Sequence, residues 1–472
     1  MTRKHWLSFA FLVLFSLVFV TSQAHAGTVT ASSCAQSNIQ SAINSAASGD
    51  TVIVPSGSCT WTTSVSISNK GITLKGAGIG STNITDGTSG QALNINIDSA
   101  SHFVDVSGFT FIKSSNNSSG MIQIDGTQAV VGFRFHHNRI LMASAGARGI
   151  VPTSVYGLID NNTFDVTATD GSIQMISPIG SPDSTDGGFT PWMRPLSLGT
   201  NNAVFIEDNT FNYGSIAEDC IDSYGGSRIV IRHNKFNNSH IGFHGTDSGN
   251  RRSLFSFEIY SNTFTNNTSS TFRAATVRGG TGVVYNNTYG GSHSAWNGVT
   301  LMVYRGTGLD QSGWGACDGT QWQLNSTDFK ANGSRQCSTS GGVKFCSLDR
   351  DRVCTSDSTC SAAGAGTCST YFDGSGSEGY ACRDQPGRTH NQALEPIYAW
   401  GNSGGVDVGM YDGGTGANIG NYLQSGRDFV NSSSAKPGYV AYTYPHPLQS
   451  GGSASNPNPT VNPPSGLTAI VN

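Results

Sequence analysis

Three short segments carry residues whose types and spacing could do acid–base or ligand chemistry together. The first is Glu218-Asp219-Cys220-Ile221-Asp222, the second His240-Ile241-Gly242-Phe243-His244, the third Arg273-Ala274-Ala275-Thr276-Val277-Arg278. Carboxylates can hold a hard cation or move a proton. Imidazoles take up protons near neutral pH, and a guanidinium keeps its charge and grips a carboxylate through a planar fork. Acids facing arginines can equally be a solvated salt-bridge surface. The choice depends on whether the fold brings the segments together.

A repeated pattern says that it does. An aliphatic strand ending in Asn and then a Phe-like residue recurs around Asn138, Asn162, Asn209, Asn234, Asn262 and Asn287, at intervals of 24, 47, 25, 28 and 25. Short alternating strands with a period in the twenties and no helices between them mark a solenoid. A leucine-rich repeat shares the period, but its leucine framework is missing. The expected fold is all-β, a right-handed parallel β-helix whose successive turns lie about 4.8 Å apart. Asn at the bend would form an amide ladder and Phe would stack inside. The doubled interval needs a hidden turn or a long loop. In-register stacking would put the three segments on one face. Strand alternation sends Glu218, Cys220 and Asp222 to one side, so Cys220 marks a turn or bulge.

The coil is expected over residues 27–445. Residues 1–26 read as a secretory signal: Arg3 and Lys4, an apolar run of 15 residues from Trp6 to Val20, and Ala24-His25-Ala26. That run is short for a bilayer span of about 20 residues, and no second one follows, so membrane insertion is not expected. The chain is expected outside the cell, or on its surface through a C-terminal linker over 446–472, and as a monomer. The last residues of that linker resemble the entry to a fibronectin-type domain. Gln36–Ala47, apolar at Ile39, Ala42, Ile43 and Ala46, supplies a capping helix. Residues 310–385 form a Gly- and Cys-rich insertion, and the coil resumes at Pro396–Trp400 with Asn402. The acids between Cys346 and Cys354 either hold Ca²⁺ or belong to a disulfide-held loop. A net charge of −4 with 12% charged residues and no basic stripe argues against nucleic acid as a partner.

Ten cysteines in an exported chain read as disulfides before metal ligands. Cys34 and Cys59 staple the cap. Seven more, from Cys317 to Cys382, crowd the insertion, an odd number that leaves one over or paired elsewhere. Cys220, inside a strand pattern, reads as a buried free thiol. His136, His137 and His233 read as turn residues beside the Asn ladder.

Glu218-x-x-x-Asp222, then Arg273-x-x-x-x-Arg278-Gly279-Gly280 two turns later, then Tyr285-Asn286-Asn287, resembles the pectate lyase family of pectin-lyase-like β-helix proteins. The likeness covers about residues 204–290. The opening Gly49-Asp50-Thr51-Val52-Ile53-Val54-Pro55 followed by Ile72-Thr73-Leu74-Lys75-Gly76 is similar to that group too. The resemblance implies β-elimination on an acidic, uronic-acid-containing polysaccharide such as pectate. Ca²⁺ held by Glu218 and Asp222 would acidify the C5 proton, Arg273 would remove it, and Arg278 would pin a substrate carboxylate. His240 stands where the family has a substrate-side lysine, with His244 as a further substrate-binding candidate. The acids expected one turn earlier are missing from Pro195–Gly199, and Asp183 and Asp186 are the available substitutes. Two other readings stay open. Glu218-Asp219-Cys220 and Phe243-His244-Gly245 loosely resemble segments of polygalacturonases, with Asp219 and Asp222 as the carboxylate pair of a hydrolase. A non-catalytic glycan-binding or adhesin role would use the groove and exposed aromatics such as Trp192, Trp296 and Trp314.

Overall fold

The computed structural model describes residues 26–451 except 114–119, 127–130, 144–147, 168–173, 177–188, 218, 246–251, 269–272, 293–296, 303–343, 370–383, 406 and 412–422. The chain winds as a parallel β-helix, each turn laying one strand on each of three walls. Wall A has twelve strands, from Thr28–Thr30 to Phe429–Asn431, and wall B nine, from Gly57–Trp61 to Thr288–Gly291. Wall C consists of two five-stranded sheets, Val65–Ile67 through Gln174–Ile176 and Asp222–Ser223 through Val408–Met410, joined by a parallel bridge between Ile176 and Ile221.

The bend between walls A and B explains the Asn repeat. The residue before each ladder Asn takes the left-handed conformation, as at His137, Asn161, Asp208, His233, Ser261 and Asn286, with φ between 51° and 59°. That single reversal turns the chain and points the next residue inward. Asn138, Asn162, Asn209, Asn234, Asn262 and Asn287 are buried. Each donates its backbone N–H to the side-chain oxygen of the ladder Asn one turn on, ending at Asn402, over 2.9–3.0 Å. The ladder thereby satisfies polar groups that the tight bend takes out of water. Inside, Phe164, Phe211, Phe236 and Phe264 stack at centroid spacings of 4.7, 4.7 and 4.5 Å. The doubled interval contains no hidden turn. Leu158 pairs directly with Phe205, and the described part of the additional chain before it includes the short helix Phe189–Trp192.

The capping helix runs Gln36–Ser45 with Ile39, Ala42 and Ile43 buried, and Cys34 is bonded to Cys59. In the insertion, Cys346–Cys360 and Cys354–Cys368 staple a small antiparallel sheet. Cys317 and Cys382 lie outside the described residues. Cys220 is a free, buried thiol, and burial pushes its pKa far up. The start of the expected linker, residues 446–451, lies against the outside of the coil. His446 and Leu448 are buried, since residues 436–451 cross the outer face of wall A and complete the hydrogen bonding of its charged residues. Among the described residues no helix is long and apolar enough to cross a membrane.

Candidate functional site

The three segments fall on consecutive strands of wall C. Asp222 pairs with Gly242, and Gly242 with Thr276. Phe243 and Val277, one residue on, point into the core. Alternation therefore turns Asp222, Gly242 and Thr276 outward. Two residues further, Tyr224, His244 and Arg278 form the next outward row. The ladder continues into it, with the His244 N–H donating to the Ser223 carbonyl at 3.1 Å.

His244 Nδ1 is in hydrogen-bond contact with Asp222 Oδ1. Asp222 is almost fully enclosed, and the His244 side chain keeps 12% of its surface. Tyr224 presents its ring to His244 edge to face at 6.1 Å. Arg278 donates from Nε to the carbonyl of Phe243 at 3.2 Å, which places its guanidinium beside the histidine strand. This row is what the coil brings together.

Asp219 explains the break in strand alternation. Its φ of 63° resets the strand, so that Cys220 and Ile221 are both in the core. It also swings the Asp219 carboxylate over the neighbouring strand. A Cβ on Gly242 would lie 1.4 Å from Asp219 Oδ1. Only glycine fits there, and Asp219 and Asp222 lie against the same residue.

The other expected site residues are placed differently. Arg273 begins the strand that Arg278 follows, and its guanidinium stands 5.5 Å from the centre of the Tyr411 ring. His240 is 4% exposed. Its carbonyl accepts the Cys220 N–H at 2.9 Å. Glu218, Asp183 and Asp186 lie outside the described residues. Asp222 is thus the described member of the expected calcium set, with its Oδ1 turned to an imidazole and its side chain 1% exposed.

Behind Arg278 the insertion is pinned to the coil. Arg252, fully buried, donates to both oxygens of Asp384 at 2.6 Å and to Asp351 at 2.7 Å. Its guanidinium lies 4.6 Å above Trp192. Trp192 is completely buried and so is a packing residue, not a sugar platform. Trp296 and Trp314 lie outside the described residues. A Cβ on Gly279 would come within 2.6 Å of the Asp384 carbonyl, so the turn after Arg278 is moulded against this node. Asp349, Asp351 and His390 bring ligand atoms within 4.8 Å of one another. Their charges are already answered, Asp351 by Arg252 and the Asn391 N–H, Asp349 by Arg352 and His390. The hydrogen bond to Asp349 holds His390 above its ordinary pKa.

Sequence reasoning found the segments but missed Tyr224, Gly242, Tyr411 and the Arg252 node. Tyr224 and Gly242 had a readable signal, since period-two alternation from Asp222 and His244 points to them. Arg252 had none, because its partners lie 99 and 132 residues away.

No protein-family model matches the chain, and no curated protein matches it. Among solved structures it is similar to an alginate lyase from Paenibacillus sp. str. FPU-7, with 15% identity and a TM-score of 0.30 over 56% of this chain and 95% of that one. It is similar to ORF18 of Geobacillus virus E2, with 17% identity and a TM-score of 0.27 over 57% and 58%. A third likeness is to the catalytic domain of a GH87 α-1,3-glucanase in complex with tetrasaccharides, with 14% identity and a TM-score of 0.28 over 58% and 60%.

Proposed function

We propose that this protein is an exported, monomeric enzyme that cleaves an acidic, uronic-acid-containing polysaccharide by β-elimination in a cleft over wall C. The observation that carries the reading is the cluster of Asp222, His244 and Arg278 from two adjacent outward rows of three consecutive strands. β-Elimination from a uronate needs a cation beside the carboxylate, so that charge developing at C5 can delocalise into it, and a base at the C5 proton. Arg278 offers the first, in the planar form that suits carboxylates. The carboxylate-backed imidazole and Arg273, at the other end of the same strand, are the candidates for proton transfer and substrate positioning.

A hydrolase is the second reading, favoured by the approach of Asp219 and Asp222 to the same glycine. Inverting hydrolysis needs two carboxyl groups about 6.5–9.5 Å apart with water between them. One assay separates the readings. Incubated with polygalacturonate and alginate, with and without added calcium, a lyase releases products with the ultraviolet absorbance of an unsaturated uronate. New reducing ends without that absorbance would establish the hydrolase. Binding with neither product would leave a glycan-binding protein.

A further inference from the structure

We infer that His244, held by Asp222, is the residue that takes the C5 proton, in place of Arg273. The inference rests on the lyase reading of the same cluster and goes beyond it in assigning the base.

The argument begins with donors and acceptors. An ionised carboxylate only accepts hydrogen bonds, so the contact between Asp222 Oδ1 and His244 Nδ1 puts the ring hydrogen on Nδ1. Nε2 is then left with a lone pair. Asp222 is itself locked in place, fully buried at the start of its strand, and it fixes both the tautomer and the orientation of the ring. This is the division of labour a general base needs, one nitrogen held and the other free to act. An arginine must first lose a proton that it holds to a pKa above about 12, and the guanidinium of Arg273 lies 5.5 Å from the centre of the Tyr411 ring, at the other end of the strand from His244's neighbour Arg278.

The neighbours suit the assignment. Arg278 reaches the carbonyl of Phe243, the residue before His244. A uronate carboxylate paired by Arg278 would bring its own C5 toward the imidazole, because the two side chains leave adjacent strands about 4.8 Å apart. In the step, the C5–H bond breaks and its proton passes to His244 Nε2. The electron pair forms the C4–C5 double bond. The C4–O bond breaks, and the leaving glycosidic oxygen keeps the electron pair of that C4–O bond and gains a proton from the imidazolium or from water. Atoms and charge balance without oxidant, metal or net consumption of water.

The test uses the full chain on the uronan that the wild type degrades. His244→Gln keeps an amide N–H for Asp222 but cannot accept a proton. It should lower kcat about a hundred- to ten-thousand-fold with KM little changed. His244→Gly should regain turnover when imidazole is added, which a structural role would not predict. Asp222→Asn, acting through the histidine, should lower kcat about a hundred-fold. Circular dichroism and retained binding of substrate by His244→Gln would show that the fold persists. Wild-type turnover in His244→Gln would overturn the inference and leave the lyase intact. Absence of unsaturated product from the wild type on every uronan would bring down the lyase reading, and the inference with it.

Discussion

The outer faces of walls A and C are built by the same coil and carry charges at the same outward positions, yet their charges are used differently. On wall A, Glu207, Arg232 and Glu258 are buried beneath the strap formed by residues 436–451. Arg232 donates to Glu207 at 2.5 Å, to the Tyr260 hydroxyl at 2.8 Å, and to the carbonyls of Tyr442 and Thr443 at 2.7 and 2.9 Å. Glu258 accepts from the Gly199 N–H and the Tyr439 hydroxyl. Tyr260, Tyr285 and Trp400 stack alongside at 4.5 and 4.4 Å. On wall C Asp222 and Arg278 are buried too, but the His244 side chain keeps 12% of its surface and is oriented by Asp222 instead of enclosed. An outward charge on a solenoid becomes scaffold or site according to what the chain later lays over it.

The largest expected effect tests the scaffold half of that contrast. Glu207→Ala leaves Arg232 buried beside aromatic rings without its carboxylate, which costs about 3–5 kcal/mol. Denaturant unfolding should show a loss of that size, while turnover per folded molecule on wall C stays at the wild-type value. A loss below about 1 kcal/mol would mean that the strap is held by its apolar contacts and the contrast is overstated.

Next in size is Gly242→Ala on the wall C side. The added methyl meets Asp219 Oδ1, and overpacking of this kind costs about 1–3 kcal/mol. The displacement falls between Asp219 and Asp222, so activity should fall further than stability does. Equal losses in both, read as kcat beside the denaturation midpoint, would make the glycine a packing residue alone.

Acid should loosen the strap specifically. His446 is buried against Phe205 at 4.7 Å, and its Nδ1 accepts the Leu448 N–H at 3.2 Å. Burial, and then the charges of Arg232 and Arg134, push its pKa down to about 3. Its folded value lies below the unfolded one, so the unfolded chain binds the proton first. The stabilisation is complete above about pH 6.5 and is lost as pH falls from there toward 3, at up to about 1.4 kcal/mol per pH unit. The carboxyls Glu207 and Glu258, raised by burial, face the same strap. Comparing the pH dependence of wild type with His446→Asn isolates the histidine, and identical slopes would exclude it.

How far the sequence could carry this contrast follows from where each signal sits. The Asn ladder is legible because the geometry of one bend repeats locally in every turn, and the three charged segments are legible because the same period stacks them. Asp222 against His244 spans 22 residues, a single turn. The strap is not legible, because Arg232 meets Tyr442 across 210 residues and the repeat has no register for a segment that has left the coil. The left-handed Asp219 was visible only as a break in alternation at Cys220.

The smallest effect concerns the edge of the open wall. Tyr411 lies two residues past Gly409, the partner of Thr300, and its ring takes the Arg273 guanidinium at 5.5 Å. A cation–π contact of this kind is worth about 0.5–1 kcal/mol where solvent reaches it, so Tyr411→Leu should barely move the denaturation midpoint. Its functional consequence depends on what Arg273 does. If Arg273 positions substrate, releasing it from the ring raises KM for a uronan and leaves kcat near the wild-type value, because the proton-transfer pair lies on other strands. If Arg273 is itself the base, the same substitution lowers kcat. The ratio of the two parameters in one variant therefore distinguishes a wall whose chemistry lies in the Asp222–His244 pair from one whose chemistry lies in its arginines.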